Sequence, residues 1–315
     1  MIPRSLIPLL FLVPALSAEE EWDEAELEEA VEIATLAEHS RQAAEAGDAA
    51  AQHQLAQCYF TGSGVPQSDS QGVFWARKAA EQGNADAQCL LAECYSKGRG
   101  VERNATEACR WWVKAAQQGH AEGMYRLGMA HLSGDGVKQS NLLGLAWLER
   151  TANEGHIEAM CSLGFCRLQG VGGVQNFAEA AVLFEKAAAS HHSNATFWLG
   201  FCKLHGIGTE RNHAQAIELL LKAADALSAP AMVLLGRCYE LGMGVQADAH
   251  KAFDWYWSAA RMNNTEACYR LGLMLLEGRG CKPDKEKAIK WLKQAAGQNH
   301  AKAQQKLEEA QNAAT

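Results

Sequence analysis

The chain has 315 residues, 48% of them hydrophobic and 21% charged, with a formal net charge of −8. That is ample apolar material for a folded core, and the acidic balance argues against a nucleic-acid-binding surface, which needs net basic charge. Only six prolines are present, and none interrupts a segment with helical patterning, Pro230 falling at a first turn where proline is tolerated, so nothing obstructs an all-helical chain.

The first eighteen residues, MIPRSLIPLLFLVPALSA, carry one early cation, Arg4, then an apolar run to Leu16 and small residues at Ala15, Ser17 and Ala18. This is the layout of a secretory signal peptide over residues 1–18, and it predicts a periplasmic or secreted protein. An uncleaved anchor fits less well, because the run contains Pro8 and Pro14 and is short of the ~20 residues a spanning helix needs. No stable membrane insertion is expected after cleavage.

Residues 19–46 follow with eleven acidic side chains against Arg41 alone, interleaved with Trp22, Ala25, Val31, Ile33 and Leu36. Two readings stand: an acidic helix that caps a repeat array with a polar outer face, or a docking site for a basic partner.

From Gly47 the chain repeats itself every 36 residues without insertion or deletion. Copies occupy 47–82, 83–118, 119–154, 155–190, 191–226, 227–262 and 263–298, with a half copy over 299–315. Such self-similarity is the mark of a solenoid.

Numbering each copy from 1, position 9 is always Leu (Leu55 through Leu271) and position 10 only Ala or Gly. A Leu beside a small residue lets a second helix approach closely. Positions 16 and 18 are always Gly, as in Gly98 and Gly100, and supply the positive φ of a turn between two helices. In the second helix small residues recur at 26 and 33 and Trp or Leu at 29, one helical face. The first helix is helix A, with expected core positions 5, 9, 12 and 13; the second is helix B.

The pattern A-x-x-x-L-G-x-x-Y-x-x-G-x-G-V followed by A-x-x-W-x-x-x-A-A resembles the Sel1-like repeat, a relative of the tetratricopeptide repeat. The resemblance implies an all-α, right-handed α/α superhelical solenoid of seven repeats between N- and C-terminal capping helices. It also implies an adaptor or scaffold whose A helices line a concave face that receives proteins or peptides.

Ten cysteines in an exported chain ordinarily suggest disulfides. Five of them (Cys58, Cys94, Cys166, Cys202, Cys238) share position 12 and read as small core residues. Neighbouring helices lie about 8–10 Å apart, too far for equivalent cysteines of successive repeats to pair. Cys94 and Cys109, on the two helices of one repeat, are the best disulfide candidate. A cysteine-rich branch of the family, some members of which bind penicillin or hydrolyse β-lactams, staples repeats through C-x7-C. Here Cys268 has Ala260 at the partner position, which weakens that enzymatic alternative.

The remaining chemistry is sparse. His120, His156, His192 and His300 share position 2, where other copies place Asp48, Asn84, Ser228 and Asn264, so a polar linker role before helix A is expected. No zinc signature occurs, and no cofactor is implied. The cationic stripe at position 32 (Lys78, Lys114, Arg150, Lys186, Lys222) suits the negative end of helix B. Sequons at Asn104, Asn194 and Asn263 also permit a eukaryotic secretory pathway.

Function is to be sought where copies differ. Position 11 of helix A runs Gln57, Glu93, Met129, Phe165, Phe201, Arg237, Leu273, and position 8 carries Trp198 in the fifth repeat, so between polar ends such as Gln57 and Arg237 the residues Met129, Phe165, Trp198 and Phe201 put large apolar groups together in the middle repeats. Aromatic anchors with a polar rim are what protein-binding hot spots look like, although extra aromatics also fill space between adjacent A helices. The expected protein is therefore a non-enzymatic adaptor that binds proteins or peptides through these residues and binds no nucleic acid.

Overall fold

The computed structural model describes residues 41–173 and 175–312. The expected signal peptide, most of the acidic segment and the last three residues lie outside the described residues. Among the described residues the chain is helix and turn, with no strand.

Fourteen α-helices of thirteen residues follow one another: α1 Ala49–Thr61, α2 Asp69–Glu81, α3 Ala85–Lys97, α4 Ala105–Gln117, α5 Ala121–Ser133, α6 Asn141–Asn153, α7 Ile157–Gln169, α8 Phe177–Ala189, α9 Ser193–His205, α10 His213–Asp225, α11 Ala229–Leu241, α12 Ala249–Arg261, α13 Thr265–Glu277 and α14 Lys285–Gly297. A fifteenth, α15, covers Ala301–Asn312. Odd-numbered helices up to α13 are the A helices and even-numbered ones the B helices.

The chain divides into two compact units, one ending at His156 and one beginning at Ile157. Within each unit every A helix packs on the B helix after it, and each B helix on the A helix that follows.

Local sequence explains where each helix starts and stops. The N-cap side chains of the B helices (Ser68, Asn104, Ser140, Asn176, Asn212, Asp248, Asp284) each accept a hydrogen bond from the backbone N–H three residues on, closing an otherwise orphaned donor. Most A helices end in a left-handed Gly at position 16, for example Gly98 at φ 72° and Gly206 at φ 70°.

The histidines at position 2 prove to be caps. Nδ1 of His120, His192 and His300 accepts from the N–H of Gly123, Ala195 and Ala303 at 3.0–3.2 Å. An accepting Nδ1 puts the ring proton on Nε2. In His120 and His300 that atom faces a carboxylate at position 4 of the preceding repeat, Asp86 at 3.0 Å and Glu266 at 3.2 Å, and His156 meets Glu122 at 3.1 Å in the same way. One side chain thus starts a helix and ties two repeats together.

Packing between A and B helices turns on a size exchange. Five repeats have Gly at position 10 and a large side chain at position 30: Leu148, Phe184, Leu220, Tyr256 and Leu292, all fully buried. A Cβ at Gly164 would lie 2.8 Å from the Phe184 ring, and one at Gly236 2.5 Å from Tyr256. The glycine is the hole and the position-30 residue the knob. Position 30, which the sequence pattern did not single out, is therefore the centre of the B-helix core. The Trp at position 29 sits beside it, half-buried in Trp147, Trp255 and Trp291. In the first unit the position-32 cations lie over these rings, Lys114 at 3.6 Å and Lys78 at 4.9 Å from the indole centroids of Trp111 and Trp75, so cation–π attraction adds to the helix-dipole term.

The A-helix core also differs from expectation. Position 13 is mostly half-buried, while position 6 is buried in Gln52, Gln88, Met124, Thr196, Met232 and Cys268. Buried glutamines need partners, and these have them. Gln52 and Gln88 donate to the carbonyls of Ala44 and Ala80 and accept from Gln82 and Gln118, at 2.7–3.1 Å. Cys268 takes the same place, its thiol pointing at the Ala260 carbonyl 3.8 Å away.

All ten cysteines are free thiols. Cys94 and Cys109, put forward as a pair from the sequence, stand as separate buried thiols, and Cys109 Sγ donates to the Asp135 carbonyl at 3.3 Å. Burial pushes both pKa values up to about 11 and, with the added charges of Glu122 and Glu93, that of Cys89 to about 12. These are small core residues, with none of the thiolate character of a nucleophile.

Candidate functional site

The middle A helices carry the side chains that depart most from the repeat. Phe165 on α7 and Trp198 and Phe201 on α9 come together in the second unit. The Trp198 ring centroid lies 5.3 Å from Phe165, 5.0 Å from Phe197 and 5.7 Å from Phe201. Trp198 is the hub because of what lies under it: Phe184 of α8, admitted by Gly164, stacks on it at 6.1 Å with an interplanar angle of 18°. Through Trp198 the site thus rests on the size exchange of the core.

The rings are not equally open. Phe165 is 40% exposed, whereas Trp198 and Phe201 are half-buried. Trp198 fills space between the core and its neighbours, and Phe165 presents an aromatic surface to solvent. Met129, the fourth residue named from sequence, lies on α5 in the first unit and is 37% exposed.

Phe201 also packs on His205, one turn further along α9, with centroids 4.6 Å apart. Burial lowers the His205 pKa, and the charges of Arg237, Arg211 and His213 lower it further. Arg211 donates to the His205 carbonyl at 3.3 Å, and Arg237 has no carboxylate partner among the described residues. Sequence reasoning treated Arg237 as a polar end position and passed over His205. The signal available was their spacing, positions 11 and 15 of successive A helices.

Elsewhere the same face is neutralised. In the first unit Glu93 pairs with Lys97 at 3.3 Å and with Arg126 at 3.4 Å, and Arg126 also reaches Glu122. In the last repeats Glu240 accepts from the Tyr256 hydroxyl at 2.9 Å and pairs with Arg270 and Arg279, and Arg270 also holds Glu266. Exposed aromatic surface and unmatched positive charge therefore coincide around α9. Among the described residues no cluster of three or more His, Cys, Asp or Glu side chains could hold a metal ion, and no helix is long and apolar enough to cross a membrane.

Stacked helical hairpins with a side-chain-specific A-helix face define a tetratricopeptide-like repeat protein. The family model of the Sel1 repeat matches residues 49–84, 85–120, 121–156, 157–192, 193–226, 229–264 and 265–300, and the chain belongs to the Sel1-repeat family. Proteins of this class generally serve as scaffolds for protein interaction.

Among solved structures, a Sel1 repeat protein from Oxalobacter formigenes is similar at 26% identity and a TM-score of 0.72, over 78% of this chain and 96% of that one. A protective antigen present in uropathogenic Escherichia coli strains displaying an SLR fold is 29% identical, with a TM-score of 0.64 over 86% of this chain. The present chain spans 66% of that antigen, just under two thirds of its length. Yeast Tom70 shares the fold alone, at 14% identity and a TM-score of 0.51, over 96% of this chain and 68% of its own. No curated protein matches the sequence.

Proposed function

We propose that this protein is an exported adaptor that holds a protein partner on the A-helix face of its middle repeats, with Phe165, Trp198 and Phe201 as the floor of the contact. The observation that carries the reading is the exposed Phe165 ring braced at 5.3 Å by Trp198, on a face where Glu93, Arg126 and Arg270 of other repeats are held in ion pairs. A rigid aromatic held by its neighbours loses little conformational freedom on binding, which makes it an efficient anchor. Export rests on the sequence of residues 1–18 and places the adaptor in the periplasm or outside the cell.

The test is affinity capture with the mature chain and its Phe165→Ser variant. Phe165 is open enough for the change to spare the fold, as circular dichroism would verify. Loss of one wild-type partner from the folded variant supports the reading; an unchanged set of partners refutes it. Fusion of residues 1–18 to a reporter that is active only after export tests the localisation separately.

A further inference from the structure

The charge around the aromatic floor says what kind of partner it takes. Phe201 lies against His205 at 4.6 Å, Arg211 donates to the His205 carbonyl at 3.3 Å, and Arg237 holds on α11 the position 11 that Phe201 holds on α9. Arg237 is exposed and has no carboxylate partner among the described residues. The acidic excess of the chain sits in residues 19–46, eleven acids against Arg41 alone, so the repeats are close to neutral and cations without a carboxylate partner make the field at one place positive. A basic segment would meet like charge there, and a purely apolar one would leave Arg237 facing a low-dielectric contact unpaired, which is costly.

We infer that the partner segment is an acidic peptide: an apolar side chain seated on Phe165, Trp198 and Phe201, with a carboxylate reaching Arg237 beside His205. This rests on the groove reading above and specifies its ligand. Charge complementarity is the argument, and ring geometry narrows the class. Trp198 meets Phe165 at 53° and Phe201 at 80°, so the floor is uneven and offers no flat run on which successive bases could stack. A branched or aromatic side chain fits such a floor; a nucleic-acid strand does not.

The experiment uses the full mature chain and fluorescence anisotropy. Three labelled probes are compared: a short peptide of Glu and Asp interspersed with Leu and Phe, the same peptide with every Glu and Asp replaced by Gln and Asn, and oligo-dT. The acidic peptide is expected to bind best and to weaken as salt is raised, since exposed charges are screened. Arg237→Glu should weaken it by about three- to tenfold, and Phe165→Ser by roughly tenfold or more. Lys114→Glu, on a B helix of the first unit, should change little.

If the uncharged peptide binds as tightly as the acidic one and both are lost in Phe165→Ser, the acidic assignment falls while the groove stands. Acidic-peptide binding that survives both Phe165→Ser and Arg237→Glu puts the site elsewhere and overturns both. Tighter binding of oligo-dT overturns the peptide class, and binding of none of the probes overturns the acidic assignment, leaving the capture experiment to judge the groove.

Discussion

Gly206 and Gly208 separate turn chemistry from packing between repeats. Both sit in the loop between α9 and α10 with nearly the same left-handed backbone, φ 70° and 68°. Replacing either with Ala forces an L residue into that region, at roughly 1–2 kcal/mol. Their surroundings differ. A Cβ at Gly206 would meet the Arg211 side chain at 3.3 Å, which can yield, whereas one at Gly208 would lie 1.8 Å from the carbonyl oxygen of Phe177, at the start of α8 in the preceding repeat.

That obstacle is backbone, and relieving it means parting two repeats, an overpacking cost of about 1–3 kcal/mol more. Gly206→Ala should therefore cost about 1–2 kcal/mol and Gly208→Ala about 2–5 kcal/mol, measured by urea unfolding followed by circular dichroism. Because neighbouring repeats couple, Gly208→Ala should also broaden the transition.

Position 1 supplies the internal control. It too has positive φ, yet a Cβ added at Gly47, Gly83, Gly119 or Gly155 would have nothing within 4 Å, and the later repeats carry His191, Leu227, Asn263 and Asn299 there at φ 58–64°. Gly83→Asn should cost less than about 1 kcal/mol. Equal losses for Gly206→Ala and Gly208→Ala would refute the inter-repeat argument.

Three further outcomes are expected. Leu163→Ala, at a position only 3% exposed, should cost about 2–5 kcal/mol in the same assay; a loss below about 1 kcal/mol would mean that α7 and α8 collapse around the gap. Burial of Glu240 opposes its ionisation, but hydrogen bonds from Arg279 and Tyr256 and the charges of Arg279 and Arg270 outweigh it and hold its pKa below the ordinary 4.5. The stability it contributes is therefore present above pH 4.5 and lost as pH falls through the lowered folded-state value. Glu240→Gln should flatten that acid limb of stability against pH, and an unchanged limb would remove Glu240 from the account. Finally, thiol-reactive dye should label the native chain slowly at pH 8, beginning with half-buried Cys58 and Cys281, and label fully in denaturant. Rapid native labelling of Cys94 would contradict its burial and raised pKa.

The aromatic site was only partly readable from the chain. Phe165, Trp198 and Phe201 stood out because they break a periodic pattern, and they do meet. Which of them stays open could not be seen, because it depends on Phe184 rising beneath Trp198. His205 and Arg237 were missed as a pair because they lie on different helices, and nothing in either local sequence marks them as electrostatic neighbours.

The amino-acid sequence by itself determined the 36-residue unit, the two helices in each copy, the capping positions and the left-handed turn, since backbone dihedrals and the first hydrogen bonds of a helix depend on residues a few positions apart. It located each buried face only to within a neighbour or two, because adjacent helix positions differ by about 100° and both 29 and 30 can border one core. Only the tertiary structure decided that position 30 fills the hole left by a position-10 glycine, that buried Gln52 and Gln88 link repeats, and that Gly208 presses on the backbone of the repeat before it. Those are relations between distant side chains and backbones, and close packing settles them pair by pair.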